Sequence, residues 1–289
     1  MDFIGRCAES AGMPLSDPAV QVDQRGLQHL VLVDHRRSIV ARFPRSSAGC
    51  RQIREGAARL RALRSWGLPV PQVLGVCDRG GPGVAHLVLS FVPGVPLDTV
   101  ATDLLPVPAR TRLVAQLISV TEAIHRMPVA RWPSPAPDWV ELWMGLLARI
   151  ETCSDLPPRL RAEQSDLAHA AVSVARRARI GVFHGDLGGV NCRVDPSSGD
   201  VLGVLDWDSA TVGDVATDLV AILHGVGPAT AEQLRAADQR WAAAWQDYCA
   251  YSATWPVQAY LWSLRDGGPA DRAAALQQLH RPPSTAPVR

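Results

Sequence analysis

The chain of 289 residues contains no lysine, so all 29 of its non-histidine basic side chains are arginines. It has a single asparagine, Asn191. No apolar run reaches the roughly 18 residues that a membrane-spanning helix needs, and no basic segment followed by an apolar stretch opens the N-terminus. We therefore expect neither a membrane span nor a secretory signal, and predict a cytoplasmic protein.

The cysteines and the charge narrow the classes of function further. The six cysteines show no C-x-x-C spacing, which favours free thiols over a zinc site or a disulfide framework. The apolar content of 47% and the net charge of +1 are typical of a soluble globular protein without general affinity for nucleic acid or membranes. Residues 1–89 nevertheless hold 12 arginines against seven acids, and residues 90–289 hold 17 against 21. The basic part suits phosphate, and the acidic part suits metal ions or a cationic substrate.

Apolar periodicity divides the chain into a strand-rich first third and a mostly helical remainder. The first third is predicted to contain four strands and one amphipathic helix: strands 28–33, 38–43, 73–77 and 86–92, and helix 49–66. Pro93-Gly94 then breaks the pattern, which predicts a boundary between a lobe of residues 1–92 and a lobe of residues 93–289.

The second lobe is predicted to be helical apart from two short apolar strands, 181–183 and 201–205. Its predicted helices are 110–126, 138–152, 159–179, 214–224, 230–251 and 256–265. A β-rich lobe followed by a larger helical lobe is an α+β arrangement, and it is the layout of a two-lobed kinase.

The most informative motif is HGDLGGVN at residues 184–191, followed by LDWD at residues 205–208. An Asp and an Asn five residues apart, with a further Asp downstream, form the acidic constellation of a phosphoryl-transfer loop. Asp186 would orient or accept the proton of an attacking hydroxyl, and Asn191 and Asp206 would offer oxygen ligands to one Mg²⁺ ion. The predicted strand before each motif argues against a polar turn that spells this pattern by chance.

Together with the lobe order, these motifs resemble the aminoglycoside-phosphotransferase-type small-molecule kinases over roughly residues 20–265. The resemblance implies a two-lobed, protein-kinase-like α+β fold. It implies a nucleotide clamp and hinge in residues 1–92, and a catalytic loop, metal site and acceptor pocket in residues 93–289. It further implies an enzyme that uses ATP or GTP with Mg²⁺ and phosphorylates a hydroxyl group of a small molecule.

The resemblance also assigns phosphate-binding residues in the first lobe. Arg42 takes the place of the strand cation that holds the α- and β-phosphates, and Glu55 that of the helix carboxylate that orients it. The alternative for both is an ordinary surface pair. No G-x-G-x-x-G motif is present, and Gly26 alone stands in the expected phosphate-covering loop.

The residues for the nucleotide base follow from the same resemblance. The backbones of Ser90 and Val92 would pair with the edge of the base, and Leu205 would pack beneath the ring. Arg193, two residues after Asn191, stands where an apolar floor is usual, which bears on the choice between ATP and GTP.

Four acids of the second lobe are candidates for the acceptor or for a further metal ion. Asp208 would bind a second Mg²⁺ ion or the acceptor, or else make a supporting hydrogen bond. Asp138, Glu141 and Asp247 could each meet a cationic acceptor, although acids on helices are mostly solvated. The resemblance implies that Asp214 and Asp218 start a helix and brace the catalytic loop, and that His125 has a structural role.

Within the family, the double glycine of HGDLGG resembles the viomycin and capreomycin phosphotransferases. We therefore expect a cationic tuberactinomycin peptide as the acceptor and antibiotic resistance as the outcome. Aminoglycoside and macrolide phosphotransferases are the alternatives, as are metabolic kinases for choline, homoserine or a sugar amine. A non-catalytic nucleotide-binding regulator would not need Asp186 as a base.

Overall fold

The computed structural model of the protein describes residues 3–24, 29–133, 136–265 and 268–280. Gly26, the predicted phosphate-loop glycine, lies outside these residues. No helix among the described residues is both long enough and apolar enough to cross a membrane. The six cysteines are free thiols, as expected; Cys249 is exposed, whereas three others are buried.

A five-stranded antiparallel sheet with two helices forms the first lobe. Its strands are β1 (Val20–Asp23), β2 (His29–Asp34), β3 (Ile39–Pro44), β4 (Val73–Cys77) and β5 (His86–Ser90), in the spatial order β1-β2-β3-β5-β4. The predicted β2–β3 hairpin is confirmed, with Val31 opposite Arg42. Helix α1 (Phe3–Ala11) and strand β1 were not predicted. Helix α1 covers one face of the sheet, where Cys7 packs in a cluster with Leu30 and Phe43.

Helix α2 (Ser47–Ser65) carries the residues that face the second lobe. It begins at Ser46, whose hydroxyl accepts the Gly49 N–H at 3.1 Å, and it is followed by Gly67 at φ +79°. One face of α2 is buried, and its buried side chains are Cys50, Ile53, Ala57, Leu60 and Leu63. Burying a Leu or Ile fully is worth about 1.5–3 kcal/mol, so this face fixes the rotation of the helix.

The second lobe contains eight helices within the described residues. They are α3 (Val107–His125), α4 (Trp139–Glu151), α5 (Pro158–Arg177), α6 (Ala216–Gly225), α7 (Pro228–Ala237), α8 (Gln239–Ser252), α9 (Trp255–Arg265) and α10 (Pro269–Leu279). The prediction of one helix over 230–251 is wrong, because the chain breaks at Asp238. The Asp238 carboxylate accepts the Arg240 N–H at 2.9 Å and so caps the start of α8.

Short strands of the second lobe hold the two motifs. These strands are β6 (Val95–Pro96), β7 (Ile180–Phe183), β8 (Cys192–Val194), β9 (Val201–Val204) and β10 (Thr211–Asp214). The two strands predicted from the sequence do not pair with each other, since β7 pairs with β10 and β9 pairs with β8. Strand β7 leads into His184 and β9 leads into Leu205, so each motif follows directly from a strand.

Side chains of the two predicted lobes, residues 1–92 and residues 93–289, pack together in one buried core. Strand β5 ends at Ser90, whereas β6 pairs with β8 of the second lobe, and the division between residues 92 and 93 remains a prediction. One cluster of buried side chains runs from Ile53 through Leu89 to Trp207. Two cation–π contacts add to it. The Arg59 guanidinium lies 5.6 Å from the Trp132 ring, and the Arg131 guanidinium lies 5.6 Å from the Trp66 ring.

Candidate active site

A cleft of about 870 Å³ lies between the lobes and brings most of the predicted site residues together. Its lining includes Arg42, Ser90, Val92, Asp186, Asn191, Leu205, Asp206 and Asp208. Glu55 lines an adjoining cavity of about 580 Å³, which shares Arg42 and Asp208 with the main cleft. The sequence motifs therefore converge on one place in the fold.

The loop after β7 turns sharply at Gly185 and presents Asp186, which is exposed. Gly185 has φ +81°, and a Cβ atom there would lie 2.6 Å from the Ser209 carbonyl oxygen. Only glycine adopts this backbone without strain and also leaves room for the neighbouring carbonyl. Leu187, buried beneath the turn, anchors the loop on its other side.

Asp218, near the start of α6, holds the backbone of this loop from below. Its fully buried carboxylate accepts the N–H groups of His184 at 2.8 Å and Gly185 at 3.1 Å. The Nε2 atom of His125, also buried, lies 3.2 Å from the same carboxylate. Asp218 thus holds the loop backbone as the resemblance implied, and His125 contacts the Asp218 carboxylate in this buried site.

Asp214 supports the start of α6 from the end of strand β10. Its carboxylate accepts the N–H of Ala216, the first residue of α6, at 3.0 Å. It also accepts the Tyr251 hydroxyl at 2.9 Å. Burial raises the pKa of Asp214 above its usual value.

The His184 ring joins the two motifs. Its Nδ1 accepts the Asp186 N–H at 3.2 Å and its Nε2 lies 2.8 Å from the Leu205 carbonyl oxygen. A neutral ring protonated on Nε2 satisfies both contacts, donating to Leu205. The ring centroid lies 4.5 Å from that of Trp207. A displacement of either motif is therefore transmitted to the other.

Asn191 lies against Asp186. The Asn191 amide nitrogen donates to the Asp186 carboxylate at 3.0 Å and to the Asp186 carbonyl at 2.8 Å. The nitrogen side of the amide is thus used within the loop, which leaves its oxygen for other contacts. Asp206, whose side chain is 49% exposed, lines the same cleft in a left-handed backbone conformation with φ +57°.

Arg42 contacts the acids of the LDWD motif instead of Glu55. Its Nη2 atom lies 3.0 Å from Asp206 Oδ1 and 2.9 Å from Asp208 Oδ2. The predicted contact between Arg42 and Glu55 is not formed, and Glu55 is exposed on α2. Asp208 is thus a partner of Arg42 in this structure.

Two residues of the first lobe were missed by sequence reasoning. His29 begins β2, and its Nδ1 lies 3.2 Å from Arg42 Nη2 and 3.6 Å from Asp208 Oδ2. Burial and then the Arg42 charge lower the pKa of His29. Arg59, one helical turn after Glu55, donates through Nη1 to the carbonyls of Trp207 at 2.7 Å and Asp208 at 3.2 Å. The position of His29 at the start of a predicted strand could have indicated a site residue. The sequence around Arg59 has no comparable feature.

The end of the cleft that is expected to bind the base is lined by Ser90, Phe91 and Val92, at and after the end of β5. Ser90 donates its N–H to the Gln72 carbonyl at 2.9 Å and accepts the Gln72 N–H on its hydroxyl at 2.8 Å. Its side chain therefore anchors the entry to β4. Arg193 lines the cleft and donates to the Gly94 carbonyl, and burial lowers its pKa. The guanidinium thus ties β8 to the hinge at the expected floor of the base pocket.

A second cavity, of about 600 Å³, opens between α4, α8 and α9. Aromatic side chains dominate its wall, and they are Trp139, Trp143, Tyr248, Tyr251, Trp255 and Trp262. Thr217 also lines it, next to the loop brace Asp218. This cavity therefore reaches α6, the helix whose Asp218 holds the backbone of the HGD loop.

Of the three helical acids proposed for a cationic acceptor, Glu141 lines this second cavity. Asp138 caps α4, since its carboxylate accepts the Glu141 N–H at 2.9 Å. Asp247 forms an ion pair with Arg177 at 2.9 Å. The structure thus brings Glu141, but neither of the other two, to the wall of this cavity.

The comparisons with known proteins agree with this geometry. Residues 20–251 match the profile of the phosphotransferase enzyme family. The chain belongs to that family. A viomycin phosphotransferase from Streptomyces vinaceus is 31% identical over 272 residues, which cover 88% of this phosphotransferase and 90% of the relative. The family assignment made from the HGD and LDWD motifs is confirmed.

Two solved structures show that the fold of this phosphotransferase is shared. The GDP complex of wild-type aminoglycoside 2'-phosphotransferase-IIIa superposes with a TM-score of 0.76 at 19% identity, over 96% of each chain. A macrolide 2'-phosphotransferase from Brachybacterium faecium gives a TM-score of 0.70 at 23% identity, over 98% of this chain and 99% of that one. The predicted two-lobed α+β fold is therefore confirmed.

Proposed function

We propose that this phosphotransferase transfers the γ-phosphoryl group of ATP or GTP to a hydroxyl group of a small-molecule antibiotic. One observation carries the proposal: the exposed Asp186 carboxylate, the Asn191 amide and the Asp206 carboxylate line a single cleft beside Arg42. That set supplies a proton acceptor, oxygen ligands and a phosphate-binding cation, which are the parts that phosphoryl transfer needs.

Asp186 is the proposed base. Its carboxylate is held by the Asn191 amide at 3.0 Å, and its backbone is held by the His184 ring. The acceptor hydroxyl gives its proton to Asp186 while its oxygen forms a bond to the γ-phosphorus. The bond from that phosphorus to the β–γ bridging oxygen breaks, and the nucleoside diphosphate leaves with the electron pair.

The donor atoms in the cleft fit Mg²⁺. Within the described residues, no group of three or more His, Cys, Asp or Glu side chains is arranged to hold a metal ion. Mg²⁺ needs no such cage, because it takes one or two protein oxygens and completes its shell with phosphate and water. Asn191 Oδ1 and the Asp206 carboxylate supply these oxygens, with Asp208 next to them. When held by these residues, the ion would supply neutralisation of the phosphate charge.

Arg42 is the proposed phosphate-binding cation. Its contacts to Asp206 and Asp208 both use Nη2, and a guanidinium also has donors on Nη1 and Nε. Arg42 can therefore contact phosphate oxygens without leaving the acids. Glu55 has a lesser role in this proposal, since it lines the neighbouring cavity and does not orient Arg42.

We propose the second cavity as the acceptor site and a cationic tuberactinomycin peptide as the acceptor. Tryptophan and tyrosine faces attract cations, and Glu141 adds a negative charge at the cavity wall. Arg149 and Arg265 line the same cavity, so the aromatic faces rather than its net charge would select the cation. The 31% identity with a viomycin phosphotransferase favours this acceptor over an aminoglycoside. The same aromatic walls suit an apolar acceptor, which is the observation that favours a macrolide instead.

The test is nucleotide-dependent phosphorylation of capreomycin and viomycin beside kanamycin, erythromycin and choline, read by mass spectrometry with ATP and with GTP. Addition of one phosphate to either peptide, absent with Asp186→Asn, would support the whole proposal. Modification of kanamycin alone would reject the peptide, and modification of erythromycin alone would reject a cationic acceptor. Expression of the protein in the cytoplasm of a susceptible bacterium should raise the antibiotic concentration that inhibits its growth.

A further inference from the structure

We propose that Arg59 is a positioning residue for the metal-binding segment, defined here as residues 206–208. The inference rests on the proposed role of Asp206 as a ligand of Mg²⁺. Arg59 lies on α2 of the first lobe, and its guanidinium reaches two successive carbonyls of that segment in the second lobe. It therefore acts on the backbone that presents Asp206, not on the carboxylate.

The backbone at Asp206 needs such a partner. Asp206 has φ +57° and ψ +65°, a left-handed conformation that is unfavourable for a residue with a side chain. The next two carbonyls, of Trp207 and Asp208, accept Arg59 Nη1 at 2.7 and 3.2 Å. These bonds fix the direction of the chain just after the strained residue, and so they fix where the Asp206 carboxylate points.

Arg59 itself is held on both sides. Its guanidinium lies 5.6 Å from the ring of Trp132, which is buried. Its helical neighbour Leu60 is buried in the core that both lobes share. The guanidinium is thus fixed between the lobes, which distinguishes it from an exposed arginine that makes a passing contact.

Whether the loss of Arg59 weakens or tightens metal binding distinguishes a positioning role from a purely electrostatic one. A guanidinium near a metal site repels the cation, so removing Arg59 would tighten metal binding if charge were its only effect. Loss of positioning predicts the opposite, because the Asp206 carboxylate would lose its preset direction. A third role, direct binding of phosphate, predicts weaker nucleotide binding whether or not metal is present.

Calorimetry of ADP binding to the full chain distinguishes these roles, with Mg²⁺ in one arm and EDTA in the other. For Arg59→Ala we expect the gain in ADP affinity that Mg²⁺ gives to fall about tenfold, which is the size of one lost charge-assisted hydrogen bond. The affinity for ADP without metal should stay within about twofold of wild type. Mn²⁺ bound with ADP, counted by electron paramagnetic resonance, should weaken in parallel. Arg59→Lys should recover part of the loss, because the lysine keeps a donor on the same helix.

Arg64→Ala is the matched control, since Arg64 lies on α2 and donates to the Val70 carbonyl at 3.3 Å within the first lobe. Equal behaviour of Arg59→Ala and Arg64→Ala would overturn the inference. Tighter metal binding, or an equal loss in both arms, would also overturn it. If wild type itself showed no effect of Mg²⁺ on ADP binding, the proposed function would fail together with the inference. If Arg59→Ala does not fold, the comparison of Arg59→Lys and Arg59→Gln with wild type decides.

Discussion

The side-chain amide of Asn191 donates to the carboxylate of Asp186 at 3.0 Å, so the proposed metal ligand and the proposed base form one hydrogen-bonded unit. The amide nitrogen orients the base, which leaves the amide oxygen for the ion. Changes at either residue are therefore expected to affect both proton transfer and metal binding, but in different proportions.

Asp186→Ala should nearly abolish phosphoryl transfer. Turnover should fall by about 10²–10⁴-fold, because the variant lacks the proposed base that takes the proton of the substrate hydroxyl. Nucleotide affinity should stay within a few-fold of wild type, since Asp186 faces the acceptor. Steady-state kinetics and calorimetry check the two parts. Turnover near the wild-type rate would remove Asp186 from the base role.

Asp206→Ala and Asn191→Ala should each weaken Mg²⁺-nucleotide binding and lower turnover, because each removes an oxygen ligand of the same ion. Calorimetry of ATP with Mg²⁺ measures the first effect. Unchanged binding in both variants would contradict the assignment.

Asn191→Asp separates the two uses of that side chain. The new carboxylate keeps an oxygen for the metal but places a like charge about 3 Å from Asp186. Repulsion between the two carboxylates should displace Asp186, so turnover should fall by more than Mg²⁺-nucleotide affinity does. Turnover equal to that of wild type would show that the two side chains do not interact in solution.

Arg42→Ala should raise the nucleotide KM through loss of the phosphate-binding cation, while the acceptor KM changes little. Glu55→Ala should have a smaller effect, because the structure shows no ion pair between Glu55 and Arg42 and places Arg42 on Asp206 and Asp208. An effect of Arg42→Ala on the acceptor KM alone would mean that the clamp is misplaced.

Gly185→Ala should destabilise the fold and slow turnover together. The added Cβ would lie 2.6 Å from the Ser209 carbonyl oxygen at a residue with φ +81°, which is expected to cost about 1–3 kcal/mol. Gly188→Ala is the matched control, because φ is −70° there and the nearest atom to the added Cβ is 3.9 Å away. Thermal unfolding of both variants provides the comparison, and equal melting temperatures would refute the steric argument.

Glu141→Gln should raise the acceptor KM without changing the nucleotide KM, since Glu141 lines the second cavity. Asp247→Asn serves as the control, because Asp247 is paired with Arg177. A larger effect of Asp247→Asn than of Glu141→Gln would place the acceptor elsewhere.

The catalytic loop was accessible from the sequence because its chemistry is local. Asp186 and Asn191 lie five residues apart after a strand, and a short segment of chain fixes their separation. Arg42 was likewise found from its place on a predicted strand. The partner of Arg42 was not, since Asp206 is 164 residues away and only the packing of the lobes decides which acid it meets.

Contacts between residues far apart in the sequence explain the other differences between the predictions and the structure. Periodicity shows which face of α2 is buried, but it cannot show that Arg59 rather than Glu55 contacts the second lobe. It also cannot pair β7 with β10 in preference to β9, because both partners are short and apolar. The break at Asp238 carries neither proline nor glycine, and the capping aspartate was its only local sign.

Trp139 lines the proposed acceptor cavity and also packs against strand β7, which leads into the HGD motif. Its ring lies 5.8 Å from that of Phe183, and a Cβ at Gly213 would approach it to 2.6 Å. Enlarging the cavity at Trp139 would therefore remove a side chain on which strands β7 and β10 pack, so a gain in substrate range would begin with a loss of rate. Selection for bulkier acceptors should instead change the exposed rim at Trp255 and Trp262, and sequencing of variants selected for such activity would show which positions change first.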